Sequence, residues 1–163
     1  MLFRSGMIYM RGQARDYDLW RQMGNPGWSW DDVLPFFLKH EDQVALEPDA
    51  FEGVHARGGE WRIEQPRVRW EILDAFRDAA AEAGIPKTDD FNRGLNEGCG
   101  YFHVNQRAGI RWNTSKGFLK PVRHRANLTV ATEAHVLRLH LEGPRAAGVT
   151  YRRRGIPVDR KST

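Results

Sequence analysis

Apolar residues recur at helical spacing in several stretches of the chain, and each stretch is bounded by residues that begin or end helices. The clearest helix is predicted from about Val68 to Ala83, because Gly84 ends it and Pro86 prevents its extension. Its apolar face consists of Ile72, Leu73, Phe76, Ala79, Ala80 and Ala83. A shorter helix is predicted over Asp16–Met23. Another is predicted to begin at the capping pair Ser29 and Asp32 and to kink at Pro35. A third is predicted to follow a cap at Asn113, Thr114 or Ser115.

Strict alternation of apolar and polar residues predicts strands elsewhere. Trp61 and Ile63 alternate with charged residues, which indicates a short strand with one face toward a core, ended by Pro66. Leucines at 137, 139 and 141 also alternate with polar residues, and a turn at Gly143 and Pro144 follows, so a β-hairpin is predicted there. Further strands are predicted over Tyr101–Gln106 and around Leu128 and Val130, and loops over 43–59 and 87–100.

The predicted elements indicate an α+β fold, a mixed arrangement in which strands far apart in sequence are separated by helices and long loops. A chain of 163 residues could close one domain or carry parts of two incomplete ones. The polar, glycine-rich loop over 87–100 counts against a self-sufficient small domain, unless it serves a site or rests on a neighbour.

The composition is that of a globular protein that folds in water. Hydrophobic residues make up 40% and charged residues 28%, and the mean hydropathy is −0.64. No apolar run approaches the roughly 20 residues that cross a bilayer, and the start of the chain has no recognisable targeting signal. Because the single Cys99 cannot form an intrachain disulfide, a reducing, cytoplasmic location is expected.

The net charge of +4 raises the question of nucleic-acid binding. The basic residues are spread along the chain close to Asp or Glu, so a solvated surface is the favoured interpretation and no nucleic-acid partner is expected. Only the tail is locally basic, with Arg152, Arg153, Arg154, Arg160 and Lys161. A free-standing basic module that contacts nucleic acid or a partner protein therefore stays open as the alternative hypothesis.

Short catalytic and metal-binding motifs are missing from the sequence. No two of the six histidines stand four residues apart with a nearby carboxylate, so no metal site is expected. The chain also contains no nucleophile elbow, no Walker loop and no GxGxxG fingerprint. The sequence motifs alone therefore assign no catalytic residue.

Read as whole strings, five segments resemble the glucose-methanol-choline (GMC) oxidoreductase family, especially its bacterial choline or aliphatic-alcohol dehydrogenases. The segments, in order, are GMIYMRGQARDYDLW with GNPGWSWDDVLPFF, ILDAFRDAAAEAGIP, DFNRGLNEGCGYFHVNQRAGIRWNTSKGFL, RANLTVATEAHVLRL and RAAGVTY. The order and spacing agree over about residues 6–151, which is far more specific than any short motif.

The resemblance implies part of a two-domain fold, with an FAD-binding domain and a substrate domain built on an antiparallel sheet. It assigns residues 1–60 to the flavin-proximal part of the FAD-binding domain, 61–110 to the substrate domain and 111–155 to the FAD-binding domain again. Residues 156–163 do not continue as the family does and are expected to form a divergent tail. Both ends of the chain are expected to be cut, so that it is an interior fragment.

The resemblance also implies which residues contact the cofactor FAD. Gly6, Met7 and Ile8 correspond to a segment whose backbone passes along the isoalloxazine ring, and a residue without a Cβ allows that close approach. Ser5 stands beside them, where the family usually has Asn. Val136 corresponds to a strand residue whose N–H and C=O hold the edge of the adenine.

The activity that the resemblance implies is hydride transfer from the CH–OH carbon of a small-molecule alcohol, or of choline, to flavin N5, with a C-terminal histidine as the base. Neither that histidine nor the dinucleotide fingerprint that places the FAD pyrophosphate is in this sequence. The chain is therefore expected to be inactive alone, and a complementary polypeptide is a candidate partner.

Overall fold

The computed structural model describes residues 6–94 and 96–161, and this part of the chain forms two compact units. The first unit ends at Val122 and the second begins at Arg123. Helices belong to the first unit, and a three-stranded antiparallel sheet makes up most of the second. The α+β class predicted from the sequence is confirmed.

The first unit contains helices α1 (Ala14–Gln22), α2 (Trp30–His40), α3 (Glu71–Glu82) and α4 (Lys120–Val122). A 3-10 turn over Pro48–Ala50 and a π-helical turn over Ser115–Leu119 supplement them. None of the helices that these residues form is both long enough and apolar enough to cross a membrane.

Local capping explains where the first two helices begin. The backbone N–H of Asp32 donates to Ser29 Oγ at 3.4 Å, and Asp32 Oδ2 accepts from the Ser29 N–H at 3.0 Å, which confirms the predicted capping box. α1 starts before the predicted Asp16 because that carboxylate itself caps the Gln13 N–H at 2.8 Å. Pro35 lies inside α2, which continues to His40.

Two small sheets lie in the first unit. β1 (Glu41–Gln43) pairs in parallel with β2 (Trp61–Ile63), and β3 (Gln106–Arg107) pairs antiparallel with β4 (Ile110–Arg111). The prediction of β2 is confirmed, whereas the loop predicted from residue 43 begins too early. The strand predicted over Tyr101–Gln106 is wrong for most of its length, because its pairing there is limited to isolated bridges through Val104.

The apolar face predicted for α3 lies largely in solvent. Ile72 is 74% exposed and Phe76 is 67% exposed, and Ala80 is the buried residue of this helix. The helix pattern is correct, but the described residues do not cover the face that it presents. Amphipathic spacing shows which side of a helix needs a partner, and it does not show which polypeptide supplies that partner.

The second unit is a meander of β5 (Ala134–Glu142), β6 (Arg145–Arg153) and β7 (Ile156–Lys161), in that spatial order. The predicted hairpin is confirmed, since Glu142 pairs with Arg145 around Gly143 and Pro144. The sequence did not predict β7, which pairs with β6 around a two-residue turn with φ of 49° and 83° at Arg154 and Gly155. No strand forms around Leu128 and Val130, so that prediction is wrong.

Buried polar residues outnumber buried apolar ones in the described part of the first unit. The buried apolar side chains are Tyr9, Tyr17, Ile63, Ala80 and Phe91, and the buried polar ones are Arg11, Glu41, Gln43, His55, Asp90, Asn92, His103, Asn105 and Gln106. A polar interior is stable only where its groups are hydrogen-bonded to one another. This interior borders the segment expected to face the flavin.

Candidate functional site

The segment Gly6–Ile8 is held along one side by backbone hydrogen bonds. The N–H of Asn105 donates to the Met7 carbonyl at 2.6 Å, and the N–H of Tyr9 donates to the His103 carbonyl at 2.8 Å. Ile8 forms an antiparallel bridge with Val104, and its side chain is 49% exposed. The first unit thus brings Gly6, Met7 and Ile8 together, whereas Ser5 lies outside the described residues.

Gly6 is exposed, and the described residues do not crowd it. A Cβ at this position would meet only the side chain of Ile8, with 3.7 Å to the nearest atom, which is an ordinary van der Waals distance. Packing within the described chain therefore does not require a glycine here. The position can accept a flat group lying against the backbone, as the sequence resemblance implies.

Met7 has a left-handed backbone conformation that is uncommon for a residue other than glycine. Its φ is 65°, and its carbonyl accepts the short hydrogen bond from Asn105. Such a conformation costs about 1–2 kcal/mol and persists only where surrounding contacts hold it. Contacts within the folded chain therefore hold Met7 in a defined backbone conformation.

Val136 lies in the second unit, on β5. β5 is an edge strand of its sheet, so no other strand of the described chain pairs with its outer edge. Val136 pairs with Tyr151 of β6, and the ladder is irregular between Val136 and Arg138. Its side chain is 52% exposed. An unpaired strand edge offers backbone N–H and C=O groups, which is what recognition of an adenine edge needs.

A buried histidine lies between two buried carboxylates in the first unit. His55 Nδ1 is 2.9 Å from Glu41 Oε1, and His55 Nε2 is 2.8 Å from Asp90 Oδ2. The other oxygen of each carboxylate also accepts a hydrogen bond. Glu41 Oε2 accepts from the Ala56 N–H at 3.0 Å, and Asp90 Oδ1 accepts from the Asn92 N–H at 2.9 Å. We call Glu41, His55 and Asp90 the His55 cluster.

Three separate pieces of chain supply this cluster. Glu41 is the first residue of β1, directly after α2, and His55 lies in the loop between the 3-10 turn and β2. Asp90 lies in a turn closed by Thr88, whose Oγ1 donates to the Asp90 carbonyl at 2.8 Å. The cluster therefore joins segments that no single helix or strand connects.

The surroundings shift the proton affinities of the cluster. Burial alone would lower the pKa of His55, but the hydrogen bonds to Asp90 and Glu41 outweigh it, so the pKa is raised above 6.5. Burial would raise the pKa of Asp90, but its hydrogen bonds from His55 and from the Asn92 N–H hold that pKa below 3.8. Both shifts favour a charged imidazolium beside an ionised carboxylate.

Neighbouring groups respond to the same environment. Burial is the main cause that raises the pKa of Tyr9, and the negative charge of Glu41 raises it further. Burial lowers the pKa of His103, whose ring lies near the amides of Gln43 and Gln65 at 3.4 Å and 3.3 Å. The two buried histidines of this unit are thus shifted in opposite directions.

Arg11 connects the cluster to the aromatic residues of α2. Its NH2 group donates to the Val54 carbonyl at 2.8 Å and lies 3.4 Å from His55 Nδ1. Its guanidinium lies 5.4 Å from the ring centre of Phe37 and 6.0 Å from that of Trp30, within the range of cation–π attraction.

No sequence motif predicts the His55 cluster. Glu41 and Asp90 are 14 and 35 residues from His55, and no short motif spans such distances. The sequence offers no other signal, because a run of Glu, Asp and Gln predicts neither a strand nor burial. Among the described residues, no group of His, Cys, Asp or Glu side chains is arranged to hold a metal ion.

Comparison with known proteins agrees with the resemblance seen in the sequence. The family profile described as GMC oxidoreductase matches residues 5–163. The chain is 38% identical over 153 residues to an oxygen-dependent choline dehydrogenase of Staphylococcus aureus, and the match covers 93% of this chain and 26% of that protein. The chain therefore spans about a quarter of the length of the curated relatives that it matches.

Solved structures of two oxidoreductases superpose on nearly all of this chain. Pyridoxine 4-oxidase from Mesorbium loti superposes with a TM-score of 0.79 at 31% identity, covering 96% of this chain and 31% of that one. An FAD-dependent oxidoreductase from Chaetomium thermophilum superposes with a TM-score of 0.84 at 25% identity, covering 98% of this chain and 29% of that one. Since the family profile spans nearly the whole sequence, the chain belongs to the GMC oxidoreductase family.

Proposed function

We propose that this chain is part of an FAD-dependent oxidoreductase that acts on the CH–OH group of a small alcohol, of the choline or alcohol dehydrogenase type. Family membership over residues 5–163 and the identity with a choline dehydrogenase support this proposal. When bound, FAD would supply the two-electron acceptor, with hydride leaving the carbinol carbon for N5 and a base taking the hydroxyl proton.

The observation that carries the proposal is the exposed, uncrowded Gly6 next to the left-handed Met7. A ring lying along Gly6–Ile8 would meet backbone at Gly6, where the described chain leaves room even for a Cβ. The hydrogen bond from the Asn105 N–H to Met7 and the one from the Tyr9 N–H to His103 hold this stretch of backbone. The chain's own contribution is thus a rigid backbone surface for the flavin ring.

The second contribution is the open edge of β5 at Val136. The backbone N–H of one strand residue can donate to a ring nitrogen of an adenine, and its C=O can accept from the exocyclic amine. The half-exposed Val136 side chain is free to pack against the ring. Val136 would therefore recognise the adenine through its backbone.

The remaining parts of the proposed site belong to other polypeptide. These 163 residues contain no GxGxxG fingerprint, and the family's C-terminal histidine has no counterpart among them. We propose that further polypeptide of the family fold supplies both, and that this chain alone binds FAD weakly and does not oxidise alcohols.

A chimera tests the proposal directly. This chain would replace the matching segment of the Staphylococcus aureus choline dehydrogenase relative, and the purified product would be desalted and its flavin spectrum recorded. We expect bound flavin that bleaches when choline is added under anaerobic conditions. A folded chimera without flavin, with the parent enzyme binding it under the same conditions, would contradict the cofactor assignment. Flavin that no alcohol bleaches would contradict the proposed substrate class.

The isolated chain provides the second arm of this experiment. FAD would be titrated into the purified chain, and quenching of flavin fluorescence would report binding. We expect weak binding and no alcohol-dependent bleaching. Stoichiometric flavin that survives desalting and bleaches with an alcohol would show that the chain is active alone.

A further inference from the structure

The geometry around His55 determines its protonation state. An ionised carboxylate only accepts hydrogen bonds, so both contacts of His55, at 2.9 Å and 2.8 Å, are hydrogen bonds only if both ring nitrogens carry protons. The His55 and Glu41 side chains are fully buried and that of Asp90 is 2% exposed, so solvent cannot replace these bonds. With both carboxylates ionised, these contacts require an imidazolium between them.

Other charged groups face the same cluster. Arg11 NH2 lies 3.4 Å from His55 Nδ1, and Arg93 Nε lies 3.4 Å from Asp90 Oδ2 on the more exposed side. The positive charges of Arg11 and Arg93 partly offset the two carboxylates. Since a buried charge left without its partner is costly, losing the His55 charge would destabilise the whole arrangement.

A short path of hydrogen bonds leads from the cluster to the flavin-facing segment. Asp90 Oδ1 accepts from the Asn92 N–H at 2.9 Å, and Asn92 Oδ1 in turn accepts from the Arg11 N–H at 2.8 Å. The Asn92 side-chain amide also donates to the Tyr9 carbonyl at 3.4 Å. Tyr9 directly follows Ile8, so Asn92 fixes the backbone that continues from the segment Gly6–Ile8.

We propose that the His55 cluster is a positioning element for the flavin-facing segment, acting through Asn92 with His55 as an imidazolium that bonds both carboxylates. The inference rests on the proposed function for the identity of the ligand. Residues 103–105 hydrogen-bond to Met7 and Tyr9, and the Asn92 side chain also donates to the Tyr9 carbonyl. The backbone N–H of Asn92 in turn donates to Asp90 of the cluster. His55 touches no substrate or cofactor in this proposal, so it is a positioning residue.

The protonation state is tested on the 163-residue chain without any flavin. Nitrogen-15 NMR of the imidazole rings distinguishes a ring with two protonated nitrogens from a neutral ring. We expect His55 to have both ring nitrogens protonated at pH 7.5, where an unperturbed histidine side chain is mostly neutral. A neutral His55 with one bare nitrogen at that pH would overturn the proposal.

Hydrogen exchange tests the path to the segment. In a His55→Gln variant we expect the amide of Arg11, which Asn92 holds, to exchange about tenfold faster. The amide of Glu64, which donates to Val104 in the same unit at 2.9 Å, serves as the internal reference. A His124→Gln variant should change neither amide. Equal acceleration of both amides, or of neither, in His55→Gln would overturn the positioning role.

The chimera separates positioning from simple folding support. With flavin bound, His55→Gln should shift the flavin absorption maxima and the reduction potential, whereas His124→Gln should not. A normal spectrum and potential in folded His55→Gln would overturn the positioning role. A chimera that never binds flavin would count against the proposed function. The NMR and exchange results would still show whether His55 is protonated on both nitrogens and whether it affects the Arg11 amide.

Discussion

His55 and Asp90 stand 35 residues apart in the sequence, yet His55 Nε2 lies 2.8 Å from Asp90 Oδ2 in the interior of the first unit. This contact joins the loop before β2 to the turn that Thr88 closes within the glycine-rich loop over 87–100. Through Asn92 it also reaches the backbone that follows the segment Gly6–Ile8.

Replacing Asp90 by Asn should destabilise the first unit by about 3 kcal/mol, because it leaves the charged His55 with one carboxylate in a buried site. The pKa of His55 should fall, since the hydrogen bond to Asp90 is the foremost contribution that raises it. Urea unfolding followed by tryptophan fluorescence, together with NMR titration of His55, measures both effects. The exposed Asp49→Asn serves as the control. An unchanged His55 titration in Asp90→Asn would contradict this prediction.

The free energy of unfolding of the first unit should be greatest near pH 6.5 and fall on both sides. The pKa of His55 is raised, so its contribution is complete below about 6.5 and is lost as pH rises through the folded value. The pKa of His103 is lowered by burial, so its contribution is complete above about 6.5 and is lost as pH falls through the folded value.

Urea unfolding between pH 5 and 9 measures this profile. His55→Gln should flatten the alkaline side, and His103→Gln should flatten the acid side. Unfolding free energy that rises steadily from pH 6.5 to 9 in the unaltered chain would show that His55 is not held protonated.

Gly59→Ala should destabilise the first unit by more than about 3 kcal/mol, because a Cβ there would overlap the carbonyl of His40 at the end of α2. The neighbouring Gly58 has φ of 92° and open space around it, so Gly58→Ala should cost only about 1–2 kcal/mol from backbone strain. Thermal unfolding of both variants separates crowding from strain. Equal losses in the two variants would contradict the crowding argument.

Gly6→Ala should weaken flavin binding in the chimera by about tenfold or more, because a Cβ would lie between the backbone and the ring. The described residues offer it only ordinary contact with Ile8, so we expect the unfolding free energy to change by less than about 1 kcal/mol. Fluorescence titration with FAD and urea unfolding measure the two quantities. Unaltered affinity would remove the support that Gly6 lends to the proposed site.

Ile63 and Ile72 provide a matched pair for burial. Ile63 is fully buried on β2, so Ile63→Ala should cost about 2–5 kcal/mol. Ile72 on α3 is 74% exposed, so Ile72→Ala should cost less than about 0.5 kcal/mol in the isolated chain. A large loss in Ile72→Ala, measured by urea unfolding at low concentration, would show that the α3 face is covered in solution.

Elements determined by neighbouring residues were predictable from the sequence. The Ser29 cap of α2 depends on Asp32 three residues away, and the β5–β6 turn depends on Gly143 and Pro144. β1 was not predictable in this way, because it is held by a partner strand and by the ion pair of Asp42 with Arg62 at 2.8 Å. Local propensity in Glu, Asp and Gln gives no strand signal.

For the candidate site too, the sequence predicted some features and the tertiary structure decided others. The strings that resemble the GMC family point to Gly6–Ile8 and Val136, since whole-string similarity carries information that short motifs lack. The structure added the left-handed Met7, the uncrowded Gly6 and the edge position of β5. The assignment of these residues to FAD stays a prediction.

The amino-acid sequence by itself determined the family, the helices with strong caps and the hairpin, because each depends on similarity along the chain or on residues within one or two turns. Tertiary structure alone decided that Glu41, His55 and Asp90 meet in the interior and that the apolar face of α3 remains exposed. Burial and charge pairing depend on which distant segments the folded chain brings together, and no spacing in the sequence specifies that.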